Sequence, residues 1–188
     1  MRFFTTLSFL LFASVALMAQ GFAYLNLTTA DGAERSIAAA QVKITFADGA
    51  LVAVSSKGSP EMGIDADGNS RITIKGGYVF TGGGNQGGSS STIGSASQGY
   101  YWLTGKSFSE TNYYTLADAS DNNIFTIKLP CSVSSSYSLI SAPQMVKGST
   151  YTLKSSTTAP TDASSEFEGF YLGSSAKGTT TVASFTAQ

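Results

Sequence analysis

From residue 71 the chain alternates polar and apolar positions, with Arg71, Thr73 and Lys75 in one set and Ile72 and Ile74 in the other. That period of two predicts a half-buried strand. Gly76-Gly77 ends it, and Tyr78-Val-Phe-Thr81 opens a second short run. The same unit stands upstream: Lys43-Ile-Thr-Phe-Ala-Asp-Gly-Ala-Leu-Val52 aligns on Arg71-Ile-Thr-Ile-Lys-Gly-Gly-Tyr-Val-Phe80 without a gap, at an offset of 28 residues (72 − 44). A strand, glycine turn and strand repeated at such an interval points to a β-solenoid, in which each coil buries its apolar face on the next. Two unrelated hairpins account for it equally well, because Asp48-Gly49 and Gly76-Gly77 both suit two-residue hairpin turns. The readings differ in one respect. A solenoid sets residues 43 to 47 beside 71 to 75 as parallel strands, Ile44 against Ile72 and Phe46 against Ile74, the one register that keeps every inward residue inward.

Elsewhere, residues 24 to 40 read as a hairpin around Asp31-Gly32. Apolar density predicts further strands near 100–103, 124–129, 137–141, 151–154, 167–172 and 179–185. No window sustains a helical period, so the expected class is all-β. Residues 82 to 99 form a glycine, serine and threonine tract anchored only by Ile93, which predicts a mobile loop or wide turn. Residues 155 to 165 predict a second polar loop.

Residues 1 to 20 have the layout of a secretory signal: Arg2, an apolar run over residues 7 to 18, and the small Ala19 before the expected cleavage. The apolar run is shorter than the roughly 20 residues of a membrane-spanning helix. A secreted or cell-surface location is therefore expected, with no membrane insertion of the mature chain. Charged residues make up only 12% of the sequence, so hydroxyls and backbone must supply solubility. Lys and Arg number 11 against 12 Asp and Glu, which leaves no basic stripe for nucleic acid. Cys131 is the single cysteine. It excludes an intramolecular disulfide and reads as a small apolar residue at a strand end.

Candidate chemistry is sparse. Asp65, Asp67 and Asn69 place three oxygen side chains at alternate positions, as the start of a calcium loop does, although Ser70 and Gly76 replace the glycine and glutamate an EF-hand requires. Aspartate and asparagine serve turns in the same way. The chain has no histidine, which removes Ser-His and Cys-His nucleophile activation. Arg71 or Lys75 beside calcium would serve a polysaccharide lyase, and Asp118, Asp121, Glu166 and Glu168 supply carboxylates for a glycosidase, but no spacing demands either. Thr104-Gly-Lys-Ser107 lacks the upstream glycine and following helix of a phosphate loop. Tyr100, Tyr101, Trp102, Tyr113 and Tyr114 crowd a low-charge region, and aromatic faces stack on sugar rings as readily as they pack in cores. Alternation puts Tyr100 and Trp102 on one side, with Tyr101 on the other.

Asp31-Gly32, Lys43-Ile-Thr-Phe46, Gly49 and Leu51-Val52 resemble an N-terminal β module of bacterial secreted proteins. Gly63-Ile-Asp-Ala-Asp-Gly-Asn69, Ile72-Thr-Ile-Lys-Gly-Gly77, Phe125-Thr-Ile-Lys-Leu-Pro130, Gly148-Ser-Thr-Tyr-Thr-Leu153, Gly169-Phe-Tyr-Leu-Gly173 and Ser184-Phe-Thr186 follow in the order seen in another group. They resemble the C-terminal part of bacterial carbohydrate-binding domain-containing proteins, similar to a clostridial polysaccharide-binding adhesin. That resemblance implies a right-handed parallel β-helix with acidic turns able to bind calcium. The resulting layout is a signal peptide at 1–20, an N-terminal β module at 21–60, a solenoid coil with its glycine-rich loop at 61–100, and a C-terminal β region at 101–188. The alternative architecture is an antiparallel β-sandwich. The expected function is non-enzymatic carbohydrate binding or adhesion to a polysaccharide or cell-surface glycan, with Tyr100 and Trp102 as the platform. An extracellular structural or partner-binding module is the alternative, followed by a calcium-dependent lyase.

Overall fold

The computed structural model describes residues 23–28, 34–39, 44–46, 49–55, 63–64, 68–84 and 91–188. The signal segment, Asp65 and Asp67 lie outside the described residues. The protein is all-β. Its strands are β1 (Ala23–Thr28), β2 (Glu34–Ala39), β3 (Ile44–Phe46), β4 (Ala50–Val54), β5 (Gly68–Ile74), β6 (Tyr78–Gly82), β7 (Ser91–Ala96), β8 (Tyr100–Phe108), β9 (Tyr113–Asp118), β10 (Asn123–Lys128), β11 (Val133–Ser141), β12 (Thr150–Ser156), β13 (Ser165–Phe167), β14 (Phe170–Leu172) and β15 (Thr180–Thr186). β1 and β2 pair antiparallel as a hairpin. The rest form a three-stranded sheet, β3-β5-β7, a four-stranded sheet, β4-β6-β11-β8, and a six-stranded sheet, β13-β14-β10-β9-β12-β15.

The repeat has a structural counterpart. β3 pairs parallel with β5 in the register Ile44 to Ile72, Thr45 to Thr73 and Phe46 to Ile74. β4 pairs parallel with β6 at the same offset, Leu51 beside Val79 and Val52 beside Phe80. The intervening glycines are corners between two sheets, since β3 and β4 belong to different sheets and so do β5 and β6. Hairpin turns are thereby excluded at both places. Gly49 and Gly77 occupy the same left-handed conformation, φ 79° and 80°, so even the corner repeats.

The tract at 82–99 departs from the expected loop, because β7 runs through it, parallel to β5 with Ile93 beside Ile72 and Ala96 beside Ile74. Backbone pairing and the packing of Ile93 and Ala96 hold this strand, which carries little apolar surface of its own. A further correction concerns residues 167–172, which form the turn and flanks of the β13–β14 hairpin instead of one strand. Glu168 and Gly169 both take positive φ there, 49° and 80°, as a two-residue hairpin turn requires.

The four-stranded sheet is the middle layer, buried on both faces. On one face Val79 and Leu139 pack with Ile64, Ile72 and Ile74. On the other, Phe80, Leu103 and Ile140 pack with Leu116, Phe125, Ile127 and Leu153. Ile72, Ile74, Leu116, Ile127, Leu139 and Leu153 are fully buried. Each such side chain contributes about 1.5–3 kcal/mol relative to exposure. β11 enters between β6 and β8 and is antiparallel to both, so β6 and β8 run the same way without touching. Side chains complete its short ladder with β6: Thr81 Oγ1 accepts from Leu139 N, and Ser136 Oγ from Gly83 N. Among the described residues no helix is long and apolar enough to cross a membrane.

Candidate functional site

β8 presents its aromatics alternately. Tyr100 and Trp102 pack at the margin of the cluster formed by Ile72, Ile74, Val79 and Leu139, while Tyr101 and Leu103 join the opposite cluster. The expected alternation holds. Tyr100 and Tyr101 are both half-buried. Tyr101 stacks on Phe185 with centroids 4.4 Å apart, and the C-terminal Gln188 exchanges two backbone hydrogen bonds with Tyr100.

Trp102 has a partner that the sequence did not nominate. Tyr137 of β11 stacks on it, with centroids 4.8 Å apart and planes 19° from parallel. The register sets Leu139 opposite Trp102 and Tyr137 opposite Thr104, so the two rings are diagonal neighbours on adjacent strands. Both rings are half-buried, and the next stretch of β8, Thr104, Gly105, Lys106 and Ser107, is exposed. The pair therefore stands where the packed layer ends and solvent begins. A rigid, half-exposed aromatic face of this kind can bury the apolar face of a ring and leave its rim hydrated.

The other candidates fare differently. Asn69 lies in β5 with its side chain not described, and Asp65 and Asp67 fall outside the described residues. Among the described residues no group of three or more His, Cys, Asp or Glu could hold a metal ion. Asp118 caps its own turn by accepting from Asn122 Nδ2, Asn122 N and Ser120 N, which holds its carboxyl below the usual carboxylate range. Asp121 pairs with Lys154, chiefly through the Lys154 hydrogen bond that lowers its pKa, and with Lys177. Glu166 Oε1 accepts from Gly169 N inside the hairpin turn. Lys75 is exposed, and Cys131 is half-buried just beyond β10.

Two aromatic-lined features were not expected. On the six-stranded sheet Tyr113 and Tyr171 meet edge to face at 5.9 Å, with Lys128 Nζ 5.5 Å from the Tyr113 centroid. Burial, then the neighbouring Tyr113 and Glu166, push the Tyr171 hydroxyl up. A cleft of about 1000 Å³ opens between the edges of the four- and six-stranded sheets, with Val52, Glu110, Phe167, Glu168 and Phe170 among its walls. Comparisons with protein-family models, curated proteins and solved structures find no significant match.

Proposed function

We propose that the protein is a secreted, non-enzymatic β protein that binds extracellular polysaccharide by aromatic stacking. The observation that carries the reading is the half-exposed Trp102–Tyr137 stack, with Tyr100 along the same side of β8. Beyond the stack, the exposed part of β8 runs Thr104, Gly105, Lys106, Ser107, with Lys106 the one charge in that strand, which favours an uncharged sugar polymer. The lack of histidine and the engagement of Asp118, Asp121 and Glu166 in turns and ion pairs support binding over catalysis. The parallel ladders β3-β5-β7 and β4-β6 support a short β-helix whose third coil is opened by the inserted β11. That architecture agrees with the resemblance to bacterial carbohydrate-binding domain-containing proteins.

One stacking contact contributes only about 0.5–1.5 kcal/mol beyond area burial, so a single sugar binds weakly and a polymer offering repeated contacts binds usefully. Trp102 is the only tryptophan and reports directly on the site. Titration with soluble neutral polysaccharides should shift its emission saturably, and Trp102→Ala should lose retention on the insoluble polymer while still unfolding cooperatively, at a lower temperature because the ring also packs on the core. An emission spectrum that no polysaccharide alters, or an alanine variant retained like the parent, rules the site out.

A further inference from the structure

We infer that the cleft beside β4 receives an extended segment of another protein, added as a strand to β4 and carrying a lysine or arginine. β4 is the outermost strand of the four-stranded sheet. Tyr78 N donates to Gly49 O and Ser55 N donates to Gly82 O, which sets the parity of the ladder. In a parallel pair alternate residues turn both peptide groups to the same side, so Leu51 and Ala53 serve β6 while Ala50, Val52 and Val54 aim theirs outward. Among the described residues no strand meets that outward side. β4 reads Ala-Leu-Val-Ala-Val and carries none of the charges or prolines by which edge strands usually resist pairing. Two other edges are managed: β13 has three residues, and the start of β8 is covered by Gln188.

The cleft supplies selectivity for what pairs there. Phe167 is 75% exposed at its rim, an unusual position for a ring on a soluble surface and one suited to covering an apolar side chain. Glu168 follows in a left-handed conformation at φ 49°, where glycine, asparagine or aspartate would fit the turn at lower cost. Its carboxylate makes no ion pair or hydrogen bond among the described residues. Glu110 stands on the same cleft. Among the described residues lining the cleft, Glu110 and Glu168 stand against one ammonium, Lys128, which lies near the Tyr113 ring, so the balance of charge is negative and complements a cation. Strand addition commonly works in this way, with backbone bonds giving affinity and alternate side chains giving choice.

The test uses the full chain and a fluorescein-labelled octapeptide of alternating threonine and valine with one central lysine, followed by anisotropy. A second peptide carries glutamate in place of the lysine. The lysine peptide should bind with micromolar Kd, and the glutamate peptide at least tenfold more weakly. Val52→Pro removes an outward donor that β6 does not use and should weaken binding about tenfold, since proline is tolerated on that side of an edge strand. Phe167→Ser and Glu168→Gly, both at exposed positions, should weaken it several-fold, the serine variant melting like the parent and the glycine variant at or slightly above it because glycine relieves the positive φ, and they carry the test if the proline variant does not fold. Equal binding of the two peptides, no binding at millimolar concentration, or parental affinity in the Phe167 and Glu168 variants overturns the inference. So does a dimer in sedimentation that Val52→Pro dissolves, which assigns the edge to a second copy instead.

Discussion

Trp102 and Tyr137 lie ring on ring at 4.8 Å, joined across the β8–β11 ladder, and this contact fixes the one tryptophan at the boundary between core and solvent. The stack orders Trp102 before any ligand arrives, so less rotamer freedom is lost on binding. Tyr137→Leu should cost about 1 kcal/mol of stability, shift Trp102 emission to the red and weaken polysaccharide retention several-fold. Denaturant melts with emission spectra check it, and an unchanged spectrum would show that the rings do not meet in solution.

Ile72 is wholly buried between β3 and β7, at the centre of the parallel ladder. Ile72→Ala should cost about 2–5 kcal/mol by transfer and cavity terms together. Ile72→Asp should abolish soluble folded protein, because an unpaired carboxylate would sit in an apolar layer. Lys75→Ala, at an exposed position, should stay within about 0.5 kcal/mol of the parent. Comparable losses in melts of the isoleucine and lysine variants would mean that the faces of β5 are reversed.

These two sites differ in how far the sequence discloses them. The Ile44–Ile72 register is legible because a gapless repeat with two inward residues per strand permits one parallel alignment, and a slip of one residue exposes both. β7 is not legible, since Ser-Thr-Ile-Gly-Ser-Ala has the composition of a loop and is held by its neighbours, as when Ser97 N donates to Ile74 O and Ser70 N to Thr92 Oγ1. Likewise, local alternation puts Tyr100 and Trp102 on one face but carries no information on which strand lies beside β8. Tyr137 reaches Trp102 only because β11 inserts between β6 and β8, a non-local pairing. The cleft at Phe167 arises between the edges of two sheets, and no periodicity within either strand encodes it.

Gly94 makes β7 possible. A Cβ there would lie 2.3 Å from Ser70 O, a backbone atom that cannot move without parting β5 from β7. Gly105, at φ 70° with open space around it, meets only the left-handed penalty of an L residue, about 1 kcal/mol. Gly94→Ala should therefore be the more damaging and should speed hydrogen exchange at Ser97 N, which donates to Ile74 O. Faster exchange in Gly105→Ala than in Gly94→Ala would contradict the close approach.

The acid limit of stability should be set by aspartates that fasten the loops and turns of the six-stranded sheet. Asp162 accepts from Ser174 Oγ, Ser175 Oγ and Ser175 N, and these bonds hold its carboxyl far below the ordinary 3.8. Asp121, on Lys154 and Lys177, and Asp118, on its own turn, are lowered as well. A carboxyl lowered in the folded state stabilises it fully above the unfolded pKa, and this contribution is lost as pH falls through the folded value. The loop that Asp162 holds is also fastened where Asn123 Nδ2 donates to Ser174 O and Ala176 O, so release begins at the carboxylate while the amide persists. Tm should be level from pH 7 to about 5 and fall below about pH 4. Asp162→Asn should melt lower than the parent at pH 7, and the gap should close as the parent's own carboxylate is protonated. A gap that stays constant down to pH 2 would show that the charge of Asp162 contributes nothing and that only its shape matters.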